Sequence, residues 1–409
     1  MTTMHRSHLP SLLLLSYPPS PCSHVLLDAA YRPSLRAALS RLRSPKQATT
    51  LVVAVACPLL YGQFMRSKTI SWYQAQSLIA GLYSLIAVVC AELKISTELD
   101  GGPGSVDVSL VLIDHDRNRR INVEQRPKIE PNNTVVVDFP TFAATYYPWN
   151  YIFQVKSELG LELSRLYLNL ADGKQVLLQE QLVLVEGGLT MHGAQSDPPP
   201  LPPPAQGYSV VCLGGTFDWL HPGHKLLLTA AALLLDVPPK DAGEHCTFVI
   251  GITGDELLKN KKYADLVQPW ETRARNVILF LSRLLQLLPR GWKDGLLPAI
   301  VEKDGDFQVS FRNDTISILC VRIQDPFGPT ITMEEMDALV VSGETRSGGQ
   351  AVNDRRVEKG WTALRVYEVD VLDAEEVSDN AVRSDNFATK ISSSAIRQQR
   401  AEATTSAKI

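Results

Sequence analysis

The clearest hydrophobic pattern in the chain lies between residues 208 and 235. A short apolar run at residues 210–213 is followed by Gly214 and Gly215, and an apolar series without glycine or proline occupies residues 226–235. The short run suits a strand buried on both faces, and the longer series consists almost entirely of strong helix formers. The pattern therefore predicts a strand, a glycine turn and a helix in succession.

Further apolar runs extend this unit into a sheet. Residues 247–252 predict a second strand, and a strand, helix and strand with such spacing form a right-handed βαβ unit of a parallel sheet. Residues 316–323 and 338–341 predict two more strands, and residues 289–315, interrupted by glycines and charges, predict an insertion at the surface. Open parallel sheets bind ligands at the carboxyl ends of their strands. We expect the functional residues at that edge.

The first 196 residues show weaker patterns of both kinds, which predict a separate α/β or α+β domain. The patterns are helical at residues 34–42 and 151–161 and strand-like at residues 134–138 and 177–185. None of these segments carries residues that indicate a particular chemistry.

Two longer apolar segments also lie in this first part. Residues 51–60 contain Pro58, and residues 78–93 contain Gly81 and Ser84. Both fall short of the ~20 apolar residues that a membrane-spanning helix needs. We interpret them as a buried strand and a buried helix, and we predict no membrane span. The apolar stretch near the N-terminus is short and is followed by prolines, which is not typical of a secretory signal.

A proline-rich stretch separates the two parts. Residues 198–204 are all proline except Leu201, a composition that favours an extended, semi-rigid spacer. The predicted organisation is an N-terminal domain of unknown role at residues 1–196, a linker at 197–206, a second domain at 207–401 and a C-terminal tail at 402–409.

Net charge bears on the binding partners of the protein, and the cysteines bear on metal binding and on the cellular compartment. A net charge of −4 and a pI near 6.1 give no support for broad electrostatic binding to nucleic acid or to an acidic membrane. The six cysteines are scattered singly, without a C-x-x-C pair to hold zinc. Scattered cysteines in apolar runs are typical of a reducing compartment. We expect a cytoplasmic protein, with a nuclear or mitochondrial pool as the alternatives.

Two histidines stand at the start of the predicted helix after the glycine turn. His221 and His224 lie where a helix N-terminus offers free N–H groups and positive potential, and the preceding glycines let a ligand approach the backbone closely. The arrangement favours the binding of an anion. The alternative is a pair of histidines that cap or pack a turn.

Two other groups could contribute to the same edge. Lys259 and Lys261 follow the second predicted strand and could neutralise phosphate charge, although a solvated helix end is the simpler interpretation. Ser392, Ser393 and Ser394 stand at the start of a predicted helix, with Arg397 one turn further on. The alternative for these residues is an ordinary N-cap with a surface arginine.

The strings that carry these residues resemble a known family. G-G-T-F-D-x-x-H-x-G-H-K, from Gly214 to Lys225, resembles the first signature of the nucleotidylyltransferase superfamily. D-P-F-G-P-T from Asp325, V-V-S-x-E-T from Val340 and I-S-S-S-x-x-R to Arg397 are similar to the eukaryotic and archaeal phosphopantetheine adenylyltransferases, which include a domain of bifunctional coenzyme A synthase. The last string has Ser394 where the family has threonine. The resemblance covers about residues 207–400.

The resemblance implies a fold, a reaction and a site. The fold would be a Rossmann-like, doubly wound parallel sheet. The reaction would transfer AMP from ATP to 4′-phosphopantetheine in coenzyme A biosynthesis, with Mg²⁺ bound to ATP as the cofactor and no dedicated metal site. The implied catalytic residues are His221, His224, Lys259 and Lys261. The implied ATP-binding residues are Gly214, Gly215, Thr216, Phe217, His224, Ser392, Ser393, Ser394 and Arg397. The implied phosphopantetheine-binding residues are Thr216, Lys259, Lys261, Glu344 and Thr345.

Other interpretations stay open at this point. The chain could be a nucleotidylyltransferase of other specificity, such as a cytidylyltransferase or a nicotinamide-mononucleotide adenylyltransferase, or a catalytically idle scaffold. Association with other enzymes of coenzyme A biosynthesis is a further implication of the resemblance. No G-x-x-x-x-G-K-[ST] motif follows Arg397, so we expect a monofunctional chain without the kinase half of coenzyme A synthase.

Overall fold

The computed structural model describes residues 9–61, 68–99, 101–118, 134–145, 148–173, 177–189, 203–285, 299–370 and 392–406. The chain divides into two compact units, the first formed mainly by residues 1–204 and the second mainly by residues 205–409. Most of the predicted linker, residues 197–202, lies outside the described residues, as do residues 407–409 of the predicted tail.

The first unit contains a parallel sheet with helices between its strands. Within the described residues the sheet has six strands in the order β6-β5-β2-β1-β7-β8, and every pairing is parallel. The strands are β1 (Ser11–Leu15), β2 (Thr49–Ala56), β5 (Val106–Asp114), β6 (Val136–Asp138), β7 (Ile152–Lys156) and β8 (Leu182–Glu186), and a small hairpin adds β3 (Leu60–Tyr61) and β4 (Thr69–Ile70). The helices are α1 (His24–Leu42), α2 (Trp72–Glu92), α3 (Phe139–Thr145) and α4 (Glu158–Ala171). Of the two predicted classes for this part, α/β or α+β, the parallel sheet matches α/β.

One predicted helix in this unit is wrong. The sequence predicts a helix over residues 151–161, but Ile152–Lys156 is a strand and the helix starts at Glu158. The Ser157 hydroxyl accepts a hydrogen bond from the Gly160 amide, at 3.1 Å, and so caps the helix. A serine N-cap marks the boundary, and the residues before it are free to pair with neighbouring strands.

The predicted buried helix is longer than the sequence suggested. It runs over Trp72–Glu92, and in the described part of the chain it is the one helix long and apolar enough to cross a membrane by length and composition. Most of its side chains are buried, among them Ile79, Tyr83 and Ile86 at 0% exposure. Burial within a folded unit accounts for an apolar composition of this kind.

Within the part of the chain that is described, the second unit is built on a seven-stranded sheet in which the first predicted strand, residues 210–215, lies between the second and fourth predicted strands. The strands of this sheet are β10 (Val210–Gly215), β11 (Cys246–Thr253), β12 (Val301–Lys303), β13 (Asp306–Phe311), β14 (Ile316–Ile323), β15 (Ala338–Ser342) and β16 (Arg365–Val369), and the short strand β9 (Ala205–Gln206) precedes them outside it. The helices are α5 (Pro222–Ala232), α6 (Trp270–Leu285), α7 (Arg346–Glu358) and α8 (Ser393–Ser406). The sheet order is β12-β13-β14-β11-β10-β15-β16.

Strands β14, β11, β10, β15 and β16 are mutually parallel, and α5, α6 and α7 follow β10, β11 and β15, respectively. The strand order reverses direction between β10 and β15, which is where an open α/β sheet forms its ligand crevice. The predicted Rossmann-like, doubly wound sheet is confirmed, together with a separate N-terminal unit.

Two parts of this sheet were not predicted. The expected insertion at residues 289–315 instead contributes β12 and β13, which pair antiparallel with each other and, through β13, with β14. In β13 the buried residues Phe307, Val309 and Phe311 alternate with more exposed neighbours, so the strand buries one face. The alternation is short and stands among charged residues, and it therefore does not predict a strand from the sequence. Strand β16 was also missed, because Arg365 and Glu368 dilute its apolar pattern.

Candidate active site

The glycine turn after β10 forms the first wall of the candidate site. Gly215 ends the strand, and a Cβ atom there would lie 3.0 Å from the Phe217 ring, so a larger residue would displace that ring. Phe217 has a φ of 54°, which turns the chain sharply towards α5. The Thr253 hydroxyl donates to the Gly215 carbonyl at 3.3 Å and holds the turn against the end of β11.

His221 caps helix α5 and also faces the cavity described below. Its Nδ1 accepts a hydrogen bond from the Gly223 amide at 3.2 Å. The ring of His224 stacks on it with a centroid distance of 3.9 Å, and the Phe217 ring lies 5.2 Å from that of His224. His224 Nδ1 is out of contact with solvent and has no hydrogen-bond partner among the described residues. The capping and ligand-facing interpretations of these histidines are therefore compatible.

Burial keeps both imidazoles neutral. The pKa of His221 lies well below its ordinary value, because burial disfavours the charged form and because His224 and Lys225 add positive charge nearby. Burial, followed by the charge of Arg273, lowers the pKa of His224 to about 3. At neutral pH both imidazoles are therefore uncharged while no anion is bound, and each can still donate a hydrogen bond to an anion.

A cavity of about 520 Å³ lies in front of these residues. Among the residues singled out from the sequence, those that line it are Gly214, Gly215, Thr216, His221, His224, Lys261, Thr345, Ser392, Ser393, Ser394 and Arg397. The structure thus brings together segments from the start, the middle and the end of the second unit.

Lys259 and Lys261 differ in their surroundings. Lys261 lines the cavity. Lys259 does not; its ammonium pairs with Glu256 at the surface, where both side chains are largely exposed. The sequence left the choice between these lysines open, and the structure places only Lys261 at the cavity.

The start of helix α8 supplies hydroxyl groups. Ser392 Oγ accepts from the Ala395 amide at 3.3 Å, which makes it the N-cap that the simpler interpretation predicted. Ser393 Oγ donates to the Asp218 carbonyl at 2.8 Å, and Ser394 Oγ accepts from Arg397 Nη2 at 3.1 Å. The Ser393 bond docks the N-terminus of α8 against the turn after β10.

Arg397 is buried rather than on the surface. Its side chain is 3% exposed, and Nη1 donates to the Asp218 carboxylate at 2.5 Å. Nε donates to the Lys262 carbonyl at 3.0 Å. Asp218, itself at 0% exposure, also accepts from the Gln268 amide at 2.9 Å. Arg397 thus lines the cavity with its charge balanced by a buried carboxylate, a partner that the sequence analysis did not name.

Phe217, Glu344 and Thr345 complete the set of residues predicted from the sequence. The Phe217 side chain is at 0% exposure and does not line the cavity. Thr345 does, and its hydroxyl accepts from the Ser342 amide at 3.1 Å, within the 3₁₀ turn Gly343–Thr345. The Glu344 side chain lies outside the described part of the structure.

Sequence reasoning missed some cavity residues. Ser342, Val369 and Asp370 line the cavity at the carboxyl ends of β15 and β16. The position of Asp370 could be found only by recognising β16, since the residue directly follows that strand. In the described part of the chain, no group of three or more His, Cys, Asp or Glu side chains is arranged to hold a metal ion.

Comparisons with known proteins assign the two parts of the chain separately. A family model described as a domain of unknown function (DUF8446) matches residues 1–191. A phosphopantetheine adenylyltransferase of Saccharomyces cerevisiae is 34% identical over 197 residues, which are 48% of this chain and 50% of the yeast protein. The chain therefore matches about half the length of that relative.

Archaeal relatives are matched over more of their length. The phosphopantetheine adenylyltransferase of Pyrococcus furiosus is 32% identical over 165 residues, which are 40% of this chain and 79% of the relative. That of Pyrococcus abyssi is 30% identical over 180 residues, 43% of this chain and 90% of the relative. With this identity over most of the archaeal proteins, the chain belongs to the phosphopantetheine adenylyltransferase family, and thus to the nucleotidyltransferases.

Proposed function

We propose that the second unit transfers AMP from ATP to 4′-phosphopantetheine, giving dephospho-coenzyme A and pyrophosphate. The observation that carries the proposal is the cavity, which gathers the glycine turn, both histidines, Lys261 and the start of α8 around one space. Hydroxyls, amides and cations are the groups that bind phosphates. The names of the archaeal and yeast relatives support this substrate pair.

The reaction needs positioning more than a nucleophilic side chain. A phosphate oxygen of phosphopantetheine attacks the α-phosphorus of ATP in line, a new P–O bond forms, and the bond from the α-phosphorus to the oxygen that bridges to the β-phosphate breaks. Pyrophosphate leaves with that oxygen and its electron pair. Charge accumulates on oxygens throughout, so catalysis depends on donors fixed in place before the reaction.

The hydrogen bond of His221 defines what its ring can do. Because Nδ1 accepts from the Gly223 amide, the proton of the neutral ring is on Nε2, which can donate to a phosphate oxygen. The stacked His224 adds a second neutral imidazole at the same point. In this proposal the pair stabilises the charge that develops on the α-phosphoryl oxygens.

Lys261 and the start of α8 would act on either side of that centre. Lys261 supplies a cation at the cavity that can orient the attacking phosphate. The N-terminus of α8 offers positive potential, and Ser392, Ser393 and Ser394 add hydroxyls for the leaving pyrophosphate. Arg397, balanced by Asp218, would hold this helix start in place and present its remaining donor capacity to the phosphates.

ATP would enter as its magnesium complex. The cavity lining offers oxygen ligands in the form of serine and threonine hydroxyls and the Asp370 carboxylate, which is the chemistry that Mg²⁺ accepts. A cytoplasmic location and association with other enzymes of coenzyme A biosynthesis are part of the same proposal. Five of the six cysteines are buried, as small apolar side chains are in proteins of a reducing compartment, and this supports the location.

The experiment that tests the proposal is direct. Purified protein is incubated with MgATP and 4′-phosphopantetheine, pyrophosphate is measured, and the second product is identified by mass spectrometry. We expect dephospho-coenzyme A and pyrophosphate in equal amounts. Release of pyrophosphate only with another nucleotide or another acceptor would move the protein to a different nucleotidyltransferase specificity, and no release with any would favour the idle scaffold.

A further inference from the structure

Arg273 is a buried arginine whose presence the proposed reaction does not explain. It lies in the first turn of α6, its side chain is at 0% exposure, and it is not among the residues that line the cavity. Removing a guanidinium from water is costly unless its N–H groups find acceptors. Its partners therefore indicate what the residue does.

The guanidinium is bound by four acceptors. Nε donates to the Gln268 carbonyl at 2.8 Å, and Nη1 donates to the Thr216 carbonyl at 2.7 Å. Nη2 donates to the Thr253 carbonyl at 2.8 Å and to the Asp255 carboxylate at 2.5 Å. Burial lowers the pKa of Arg273, and the hydrogen bond to Asp255 opposes that shift.

These acceptors come from separate segments at the carboxyl edge of the sheet. Thr216 follows β10, Thr253 ends β11 and Gln268 precedes α6. Of these three residues only Thr216 lines the cavity. A planar guanidinium can reach all three carbonyls at once, whereas an ammonium on the same stem cannot span them.

We propose that Arg273 is a positioning residue for adenylyl transfer. By binding the Thr216 carbonyl it fixes the turn after β10, so that the Thr216 hydroxyl and the two glycines before it keep the geometry that the reacting phosphates require. The inference rests on the proposed function and adds a residue that itself touches no substrate. Misplacement of reacting groups by about 1 Å can lower a rate ~10²-fold.

The test compares two buried arginines of the same unit. Arg273→Lys keeps the charge beside Asp255 but loses the fork, and we expect kcat to fall about 10-fold to 100-fold while the KM for ATP changes less than ~3-fold. Arg356→Lys is the matched control. Arg356 is also at 0% exposure and donates to backbone carbonyls, those of Thr330, Met333, Glu334 and Thr362, none of which belongs to a cavity-lining residue.

The control is expected to lower the Tm by a similar amount and to leave kcat within about 3-fold of the wild type. A double variant then tests the route. If Arg273 acts through Thr216, Arg273→Lys should lower kcat much less in a Thr216→Ala background than in the wild type, because the two effects are not additive. Asp255→Asn keeps an acceptor oxygen and should stay within ~3-fold of wild-type kcat.

The outcomes distinguish a wrong role for Arg273 from a wrong proposed function. Wild-type protein that releases no pyrophosphate overturns the proposed function, and this inference with it. An active wild type with equal kcat in Arg273→Lys and Arg356→Lys overturns the inference alone, as do additive effects of Arg273→Lys and Thr216→Ala. Failure of Arg273→Lys to fold, when Arg356→Lys folds, also overturns it, since the residue would then hold the whole unit.

Discussion

At the scale of single residues, the site depends on histidines that are neutral by burial. His221 and His224 stack at the entrance of α5, and the surroundings of both lower their pKa. A neutral imidazole donates a hydrogen bond without repelling the neighbouring cations Lys225 and Arg273. Charge stabilisation is then directed at the reacting phosphates.

Removing one of these donors should reduce turnover and leave the fold intact. We expect His224→Ala to lower kcat by about 10²–10³, the loss typical of a preorganised transition-state donor. His245→Ala, at an exposed histidine of the same unit, is the matched control and should keep kcat unchanged. Circular dichroism checks the fold. Full activity in His224→Ala, or its unfolding, would contradict the assignment.

The lowered pKa of His224 also predicts that the stability of the fold depends on pH. The pKa of His224 is about 3 in the folded state against an ordinary 6.5, so below about pH 6.5 the unfolded state binds more protons than the folded state. The free energy of unfolding is therefore highest above pH 6.5 with respect to this histidine, and it decreases as the pH falls towards 3. We expect the Tm to fall between pH 7 and pH 5, and to fall less in the variant carrying both His221→Asn and His224→Asn. An equal fall in both proteins would assign the effect to other groups.

At the scale of elements, the segment after β11 separates two lysines that the sequence could not. Lys261 faces the cavity and Lys259 pairs with Glu256 at the surface. The Lys259 ion pair lies outside the cavity, and an exposed ion pair contributes at most about 1 kcal/mol to stability. We therefore expect Lys259→Ala to leave the fold intact and to change kcat/KM less than ~3-fold. Lys261→Ala should lower kcat/KM about 10-fold to 100-fold, because a phosphate contact is lost. Steady-state kinetics on the two variants decides the matter, and the reverse ranking would refute the placement.

Elements with strong local signals could be predicted from the sequence. The strand, glycine turn and helix around His221 were predicted because an apolar run, two glycines and a series of helix formers follow one another directly. Residues 151–161 depart from the predicted helix because period-two and helical patterns overlap in a short apolar stretch, and because Ser157 caps a helix that begins only after it. Pairing partners decide such segments, and pairing is a tertiary property.

The candidate site shows the same limit. Thr216 and Ser393, which belong to recognisable strings, line the cavity. The roles of Asp218 and Arg273 depend on contacts between segments far apart in the chain, and Asp370 depends on β16, so no local pattern could reveal them. That a charged residue is buried can be recognised only once the residues that it pairs with are known.

At the scale of the whole molecule, the cavity residues all belong to the second unit. We expect a shortened chain beginning near Ala205 to keep adenylyltransferase activity, because about 200 residues can form their own core. It would lack Lys68, which groups with the second unit and donates to the Leu235 carbonyl at 3.2 Å, so its Tm should be lower. Comparing kcat of the full and shortened chains tests this, and a folded but inactive shortened chain would show that the first unit contributes to the site.

The choice of nucleotide decides whether the second unit is an adenylyltransferase. The cavity groups described above bind phosphates and do not distinguish ATP from CTP. Lipid-precursor cytidylyltransferases carry R-T-x-G-I-S-T before their second signature helix, whereas this chain reads N-F-A-T-K-I-S over residues 386–392. The missing arginine and glycine favour ATP, although residues 386–391 lie outside the described part of the structure.

This choice is measured as kcat/KM for ATP and for CTP, with 4′-phosphopantetheine as the acceptor and pyrophosphate release as the signal. A site that hydrogen-bonds one base leaves polar groups unpaired with the other, at about 1–3 kcal/mol each, so the account predicts a preference for ATP of ~10-fold to 100-fold or more. Equal values, or a preference for CTP, would contradict adenylyl transfer while leaving the nucleotidyltransferase family assignment intact.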